Sequence, residues 1–253
     1  MREYLKLSGL LVSAVLCVAA YAYWPETWTL TLAKADLPFV LEQDSLPIPE
    51  PETVPAEETP AKPEKDTTSQ RILLIGDSMI EELTFGFSNY AHANGHRLET
   101  VIWYGSSTEQ WARTDTLSSF VSQFQPTFIV VCLGSNELFL KHPERRAPYI
   151  RSLVHAMNDI PFVWLCPPRW KMDSGICNVI LQEVGEQRFF DSTRLQLSRK
   201  KDLRHPNRKG ADLWMEAVAK WLSGTETAHP IALDSIPSKN VKRCTLHLLQ
   251  PMP

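Results

Sequence analysis

The sequence predicts an α/β fold, a three-layer α/β/α sandwich around a central parallel sheet, and three observations lead there. Five short apolar runs rich in Ile, Val, Phe and Trp lie between Arg71 and Phe190; each is too short for a comfortable helix and suits a buried strand. Longer amphipathic stretches separate them, and strands alternating with helices imply parallel pairing through right-handed crossovers. At 253 residues, 43% hydrophobic and 22% charged, the chain can bury one good core with appendages rather than two full-sized domains.

The appendages come first. Arg2 and Lys6 precede an apolar run from Leu7 to about Trp24, close to the roughly 20 residues a helix needs to cross a bilayer. We read residues 1–28 as an uncleaved transmembrane anchor. The alternative is a signal peptide: Ala20-Tyr21-Ala22 offers a weak cleavage site, and Cys17 suggests a lipoprotein but follows a bulky Leu16. Basic residues before the span and acidic ones after it place the short N-terminus in the cytoplasm and the rest outside, periplasmic or at the cell surface. Residues 29–70 form a linker. From about Glu42 it is dominated by Pro, Glu, Thr and Lys, a composition that cannot bury enough apolar surface to fold and that proline holds extended.

The globular domain is expected over residues 71–224. Its strands are Arg71–Ile75, Leu98–Trp103, Thr127–Leu133, Phe162–Leu165 and Arg188–Phe190. Helices are expected over Ile80–Asn94, closed by Gly95, over Thr114–Phe124, stopped before Pro126, and over Pro143–Asn158, opened by its proline. A last helix, Pro206–Leu222, carries Leu213, Trp214, Val218 and Trp221 as an apolar stripe. Residues 225–253 show no periodicity and read as an irregular tail, with Lys239, Lys242 and Arg243 a solvated charge run.

Charge and cysteine exclude several classes. A net charge of −3 without a clustered basic excess gives no reason to expect nucleic acid as a partner. The five cysteines contain no C-x-x-C pair, so neither a zinc knuckle nor a dense disulfide framework is indicated. Cys132 and Cys166 fall in strand runs and read as buried free thiols. The histidines other than His205 lack partners at ligand spacing, so no metal and no cofactor is expected.

In open α/β sheets ligands sit beyond the carboxyl ends of the strands. Three such ends carry Gly76-Asp77-Ser78-Met79, Tyr104-Gly105-Ser106-Ser107 and Gly134-Ser135-Asn136-Glu137, and Asp202-Leu203-Arg204-His205-Pro206 precedes the last helix. Singly, Ser78 could be a helix cap and Gly105 or Asn136 a turn former. Together, in this order, the four blocks resemble the SGNH/GDSL hydrolase superfamily across Arg71 to Leu222. The resemblance implies a flavodoxin-like sandwich with Ser78 as nucleophile, His205 as general base and Asp202 orienting it. It also implies an oxyanion hole from the amides of Ser78 and Gly105 and the side chain of Asn136.

The chemistry needs these residue types. A serine hydroxyl requires a positioned base, the base requires a partner that fixes its tautomer, and the developing alkoxide requires preorganised donors. Asp77 is expected to bond backbone near the nucleophile turn. The chain departs from the wider family in Met79-Ile80-Glu81 after the serine and in Glu137-Leu138-Phe139 after Asn136. Trp103, Tyr104, Trp111, Arg169 and Trp170 fall near the active face and read either as a platform for sugar rings or as core and rim packing. The expected function is a membrane-anchored esterase that removes small acyl groups, acetyl above all, from an extracytoplasmic polysaccharide. The alternatives are an O-acyltransferase on the same glycan class and a non-catalytic tethered glycan-binding domain.

Overall fold

A computed structural model describes residues 63–235, 237 and 245–250. The expected anchor, most of the linker and the tail residues Lys239, Lys242 and Arg243 lie outside these. Among the described residues no helix is long and apolar enough to cross a membrane.

Six parallel strands form one sheet: β1 (Arg71–Gly76), β2 (Arg97–Trp103), β3 (Phe128–Cys132), β4 (Phe162–Cys166), β5 (Phe189–Asp191) and β6 (Thr245–Leu249), in the order β5-β4-β3-β1-β2-β6. Strand-facing alternation builds two cores. Ile72 and Leu74 of β1 join Val130, Val163 and Leu165 on one face, whereas Leu73 and Ile75 join Val101, Ile129, Val131 and Trp164 on the other. The first face is covered by helix α1 (Glu81–Ala93) through Leu83 and Phe87, and by helix α6 (Arg208–Leu222) through Trp214, Met215, Val218 and Leu222. On the opposite face lie α2 (Thr108–Ala112), α3 (Thr116–Phe124), α4 (Ala147–Ala156) and α5 (Ile176–Val184), contributing Trp111, Leu117, Ile150, Leu153, Ile176 and Ile180. Strands buried on both faces are why the runs read as continuously apolar.

Several expectations need correction. The chain after residue 224 is not uniformly irregular, because β6 pairs in parallel with β2, Glu99 opposite Thr245 through Trp103 opposite Leu249. Its five residues are half-buried or exposed without a regular alternation, too weak a pattern to stand out. The linker ends before residue 70: Asp66 bridges Ile231, Lys65 pairs with Asp234 at 3.0 Å, and Gln70 is buried. Helix α5 is not among the expected helices, although Asn178 and Gln182 lie exposed one turn apart and Asp173 caps it by accepting from Gly175 and Ile176, each at 2.9 Å. The expected helix over Thr114–Phe124 starts at Thr116, and α2 precedes it as a separate turn capped by Ser107 and Gln110. The last helix begins at Arg208, because Asn207 is its N-cap, accepting from the Gly210 amide at 3.0 Å.

Cys166 is not a free thiol. It ends β4, and the turn into α5 brings Cys177 within 5.9 Å, Cα to Cα, in a disulfide. Cys132 is free and buried, as expected.

At the end of β1 the backbones of β1 and β3 pass so closely that a Cβ on Gly76 would sit 2.6 Å from the Cys132 carbonyl oxygen. Gly76→Ala should therefore cost about 1–3 kcal/mol through overpacking, read as a lowered urea midpoint; an unchanged midpoint would show that the two strand ends can separate. The disulfide spans 11 positions, and closing a loop of that size limits the unfolded chain by about 2–3 kcal/mol. The Cys166→Ser/Cys177→Ser double variant should lose stability on that scale in the same assay.

Candidate active site

The order of the sheet creates the site. From β1 the chain runs outward to β2 and then returns to place β3 on the other side of β1, so the crevice lies beyond the ends of β1 and β3. Residues after both strands meet there. Asp77 directly follows β1 and is fully buried; its Oδ1 accepts the Met79 amide at 2.9 Å. Its Oδ2 accepts from the Ser135 hydroxyl in a short bond and from Asn136 Nδ2 at 3.2 Å. One carboxyl group thus fixes the turn that carries Ser78 to the turn that carries Asn136. Burial is the main reason its carboxyl is pushed up from an ordinary 3.8 to about 6, against the hydrogen bonds from Ser135 and Met79.

Ser78 begins a short 3-10 turn and is half-buried. Its Oγ lies 2.8 Å from His205 Nε2, and His205 Nδ1 lies 2.7 Å from Asp202 Oδ2. The three-residue turn from Asp202 to His205 is shaped by Asp202 Oδ1, which accepts the amides of Arg204 and His205 at 2.9 and 3.1 Å, and by Leu203 at φ +59°. A leucine in the left-handed region costs on the order of 1 kcal/mol, and such strain persists where neighbouring bonds overdetermine it. The hydrogen bond from His205, then that from the Arg204 amide, hold the Asp202 carboxyl well below the usual carboxylate range. The aspartate is therefore ionised and able to stabilise a protonated imidazole.

Gly105 occupies the exposed turn after β2 at φ +71°, a conformation that favours glycine, and its amide takes no acceptor among the described residues. Asn136 is exposed and its Nδ2 donates to the Ser106 carbonyl at 2.8 Å as well as to Asp77. The loops after β1, β2 and β3 are therefore tied together through Asn136.

Three supporting residues escaped the sequence reading. Ser135 binds Asp77 as described, and Ser106, buried, holds Trp111 Nε1 at 2.9 Å while its carbonyl holds Asn136. Glu137, the departure after Asn136, is 1% exposed; it accepts the amide and hydroxyl of Thr108 at 3.0 and 2.7 Å and pairs with Arg146 at 2.9 Å. It thereby caps α2 behind the Gly105 turn, and burial raises its carboxyl despite Thr108 and Arg146. The available signal was the carboxylate directly after Asn136. Burial, and secondarily Asp77, push the Cys132 thiol well up, so it stays protonated and unreactive.

The aromatic set divides. Trp103 and Trp111 are not a platform: both are buried, edge to face with ring centres 5.5 Å apart. Tyr104 is half-buried against the α1/α6 core. Arg169 is exposed, and Trp170 is half-buried against Phe139, ring centres 5.0 Å apart. Among the described residues no group of three or more His, Cys, Asp or Glu could hold a metal ion.

No protein-family model and no curated protein matches this chain. Among solved structures it is similar to LAE5, an alpha/beta hydrolase enzyme from the metagenome of Lake Arreo, Spain, at 15% identity and TM-score 0.49, over 61% of this chain and 96% of that one. It is also similar to a protein assigned to the lipolytic G-D-S-L family from Desulfitobacterium hafniense DCB-2, at 14% identity and TM-score 0.43, over 60% and 98% of the two chains.

The raised Asp77 carboxyl predicts a pH signature. Between roughly pH 4 and pH 6 the folded form keeps this proton while the unfolded form has released it, so stability falls as pH rises through that window and levels off above it. Subtracting the Tm of Asp77→Asn from that of the wild type at each pH should give a difference that declines from pH 4 to about 6.5; a flat difference would contradict a raised carboxyl.

Proposed function

We propose that this chain is a serine esterase of the SGNH/GDSL type, and the observation that carries the reading is the continuous line Ser78 Oγ, His205 Nε2, His205 Nδ1, Asp202 Oδ2, with separations of 2.8 and 2.7 Å. With Nδ1–H donated to Asp202, Nε2 is left as the acceptor for the serine proton. Ser78 Oγ attacks the ester carbonyl carbon as its proton passes to Nε2. The tetrahedral oxyanion accepts hydrogen bonds from the amides of Ser78 and Gly105 and from Asn136 Nδ2, whose N–H now on Asp77, the longer of its two bonds, is the one shared with the oxyanion. The carbon–oxygen bond to the alcohol then breaks, and His205 returns the proton to the leaving oxygen. Water attacks the acyl-serine, its proton goes to His205, and collapse releases the acid and restores the Ser78 hydroxyl.

The substrate we favour is a small acyl ester, an acetyl group on an extracytoplasmic polysaccharide. The open setting supports a bulky polymer: Asn136, Gly105 and Asp202 are all exposed. A disulfide between Cys166 and Cys177 supports an oxidising compartment, in keeping with the anchor and spacer expected before residue 63.

The test is hydrolysis of p-nitrophenyl acetate and of longer acyl esters by the full chain in detergent. Acetate should turn over best. Ser78→Ala and His205→Ala should each lose roughly three or more orders of magnitude in kcat, and Asp202→Asn roughly two to four. Equal, negligible rates from all four folded proteins would defeat the hydrolase reading, whereas acyl groups appearing on an added glycan instead of in free acid would make the enzyme a transferase.

A further inference from the structure

The segment that delivers the catalytic histidine carries a charge imbalance that the triad does not use. In a chain of net charge −3, residues 199–204 hold four cations, Arg199, Lys200, Lys201 and Arg204, against the single carboxylate of Asp202, which is committed to His205. Lys200 is answered by Glu82 at 3.0 Å and Glu81 at 3.5 Å. Arg199 is spent on structure: its guanidinium donates to the carbonyls of Arg204 and Arg169, which joins the histidine loop to the loop after β4. Arg204 is different. It is exposed, directly precedes His205, and no carboxylate of the described residues pairs with it.

What Arg204 does have is an aromatic floor. Its guanidinium lies over Trp170, 4.6 Å from the ring centre. Trp170 meets Phe139 edge to face, and Lys171 Nζ lies 4.7 Å from the Phe139 ring centre, likewise without a carboxylate partner among the described residues. Phe139 is 50% exposed, three residues beyond Asn136. An exposed and a half-buried ring, each with an unneutralised cation on it, are thus joined in the chain to both the base, through Arg204, and an oxyanion-hole residue, through Phe139. The only carboxylate on the β4 loop, Asp173, is occupied in capping α5. The disulfide closes this loop at its base, between Cys166 and Cys177, and holds Trp170 and Lys171 in place.

Cation–aromatic pairs left without an acid at a surface attract an anion and offer a planar face to whatever carries it. We propose that Arg204, Lys171, Trp170 and Phe139 form a subsite for an anionic ester, in which a carboxylate or phosphate on the substrate engages Arg204 and Lys171, the two cations that the aromatic pair holds in place. This rests on the esterase reading and deepens it: the glycan or other ester that the site selects is an acidic one. Arginine suits the role because its planar fork matches both oxyacids.

The test uses the full chain with three aryl acetates that share a scissile bond. These are 4-acetoxybenzoate, 4-acetoxyphenyl phosphate and the neutral methyl 4-acetoxybenzoate. The wild type should favour at least one charged ester over the neutral one, and which one identifies the oxyacid. In Arg204→Gln and in Lys171→Gln the charged-to-neutral ratio of kcat/KM should fall about tenfold and threefold respectively, mainly through KM, and 0.5 M salt should erode the wild-type ratio. A wild-type ratio that neither variant changes, with all three esters hydrolysed, overturns the subsite and leaves the esterase standing. Hydrolysis of none of the three removes the esterase reading and the subsite with it.

Discussion

The buried carboxyl of Asp77 is the constraint on which the rest of the site depends. It lies where β1 ends, wholly buried, and its bonds go to the Met79 amide under the Ser78 turn, to Ser135, and to Asn136 from the far side of the crevice. A buried acid costs desolvation unless its oxygens are satisfied. The same hydrogen bonds that satisfy it tie the Ser78 turn to the Asn136 side chain. Gly76, pressed against the Cys132 carbonyl, is the backbone counterpart of that constraint.

Around this hub the loops are rigidified one by one, each by a different device. The Gly105 turn is backed by Glu137, which caps α2 and pairs with Arg146. The histidine loop is held by Asp202 accepting two amides, by the left-handed Leu203, and by the Arg199 guanidinium. The loop after β4 is closed by the disulfide. Ser78 lies 127 positions before His205, whose partner is Asp202, and the two segments stay within hydrogen-bond reach only because their loops have few alternatives.

The residues after Asn136 divide between support and surface. Glu137 reaches across the crevice to cap Thr108, and Phe139 two residues later is exposed beside Trp170. The aromatic residues that look equivalent in the sequence separate by environment. Trp103 and Trp111 fill the core between sheet and helices, whereas Trp170 stands at the rim with Arg204 above it.

The sequence by itself determined the α/β class, the five strands from Arg71 to Phe190 and the residues able to supply a nucleophile, a base and its partner, because buried parallel strands are read as apolar runs and reactive residues follow their ends. It did not reveal β6, whose pattern is weak, or α5, which is only nine residues long, nor the start of packed chain near residue 63. Only the tertiary structure decided that Cys166 pairs with Cys177, that Glu137 and Ser135 support the site, and that Trp170, Phe139, Lys171 and Arg204 form one surface. Each of these is a contact between segments that sequence periodicity does not relate, and it exists only once the sheet order has brought the loop ends together.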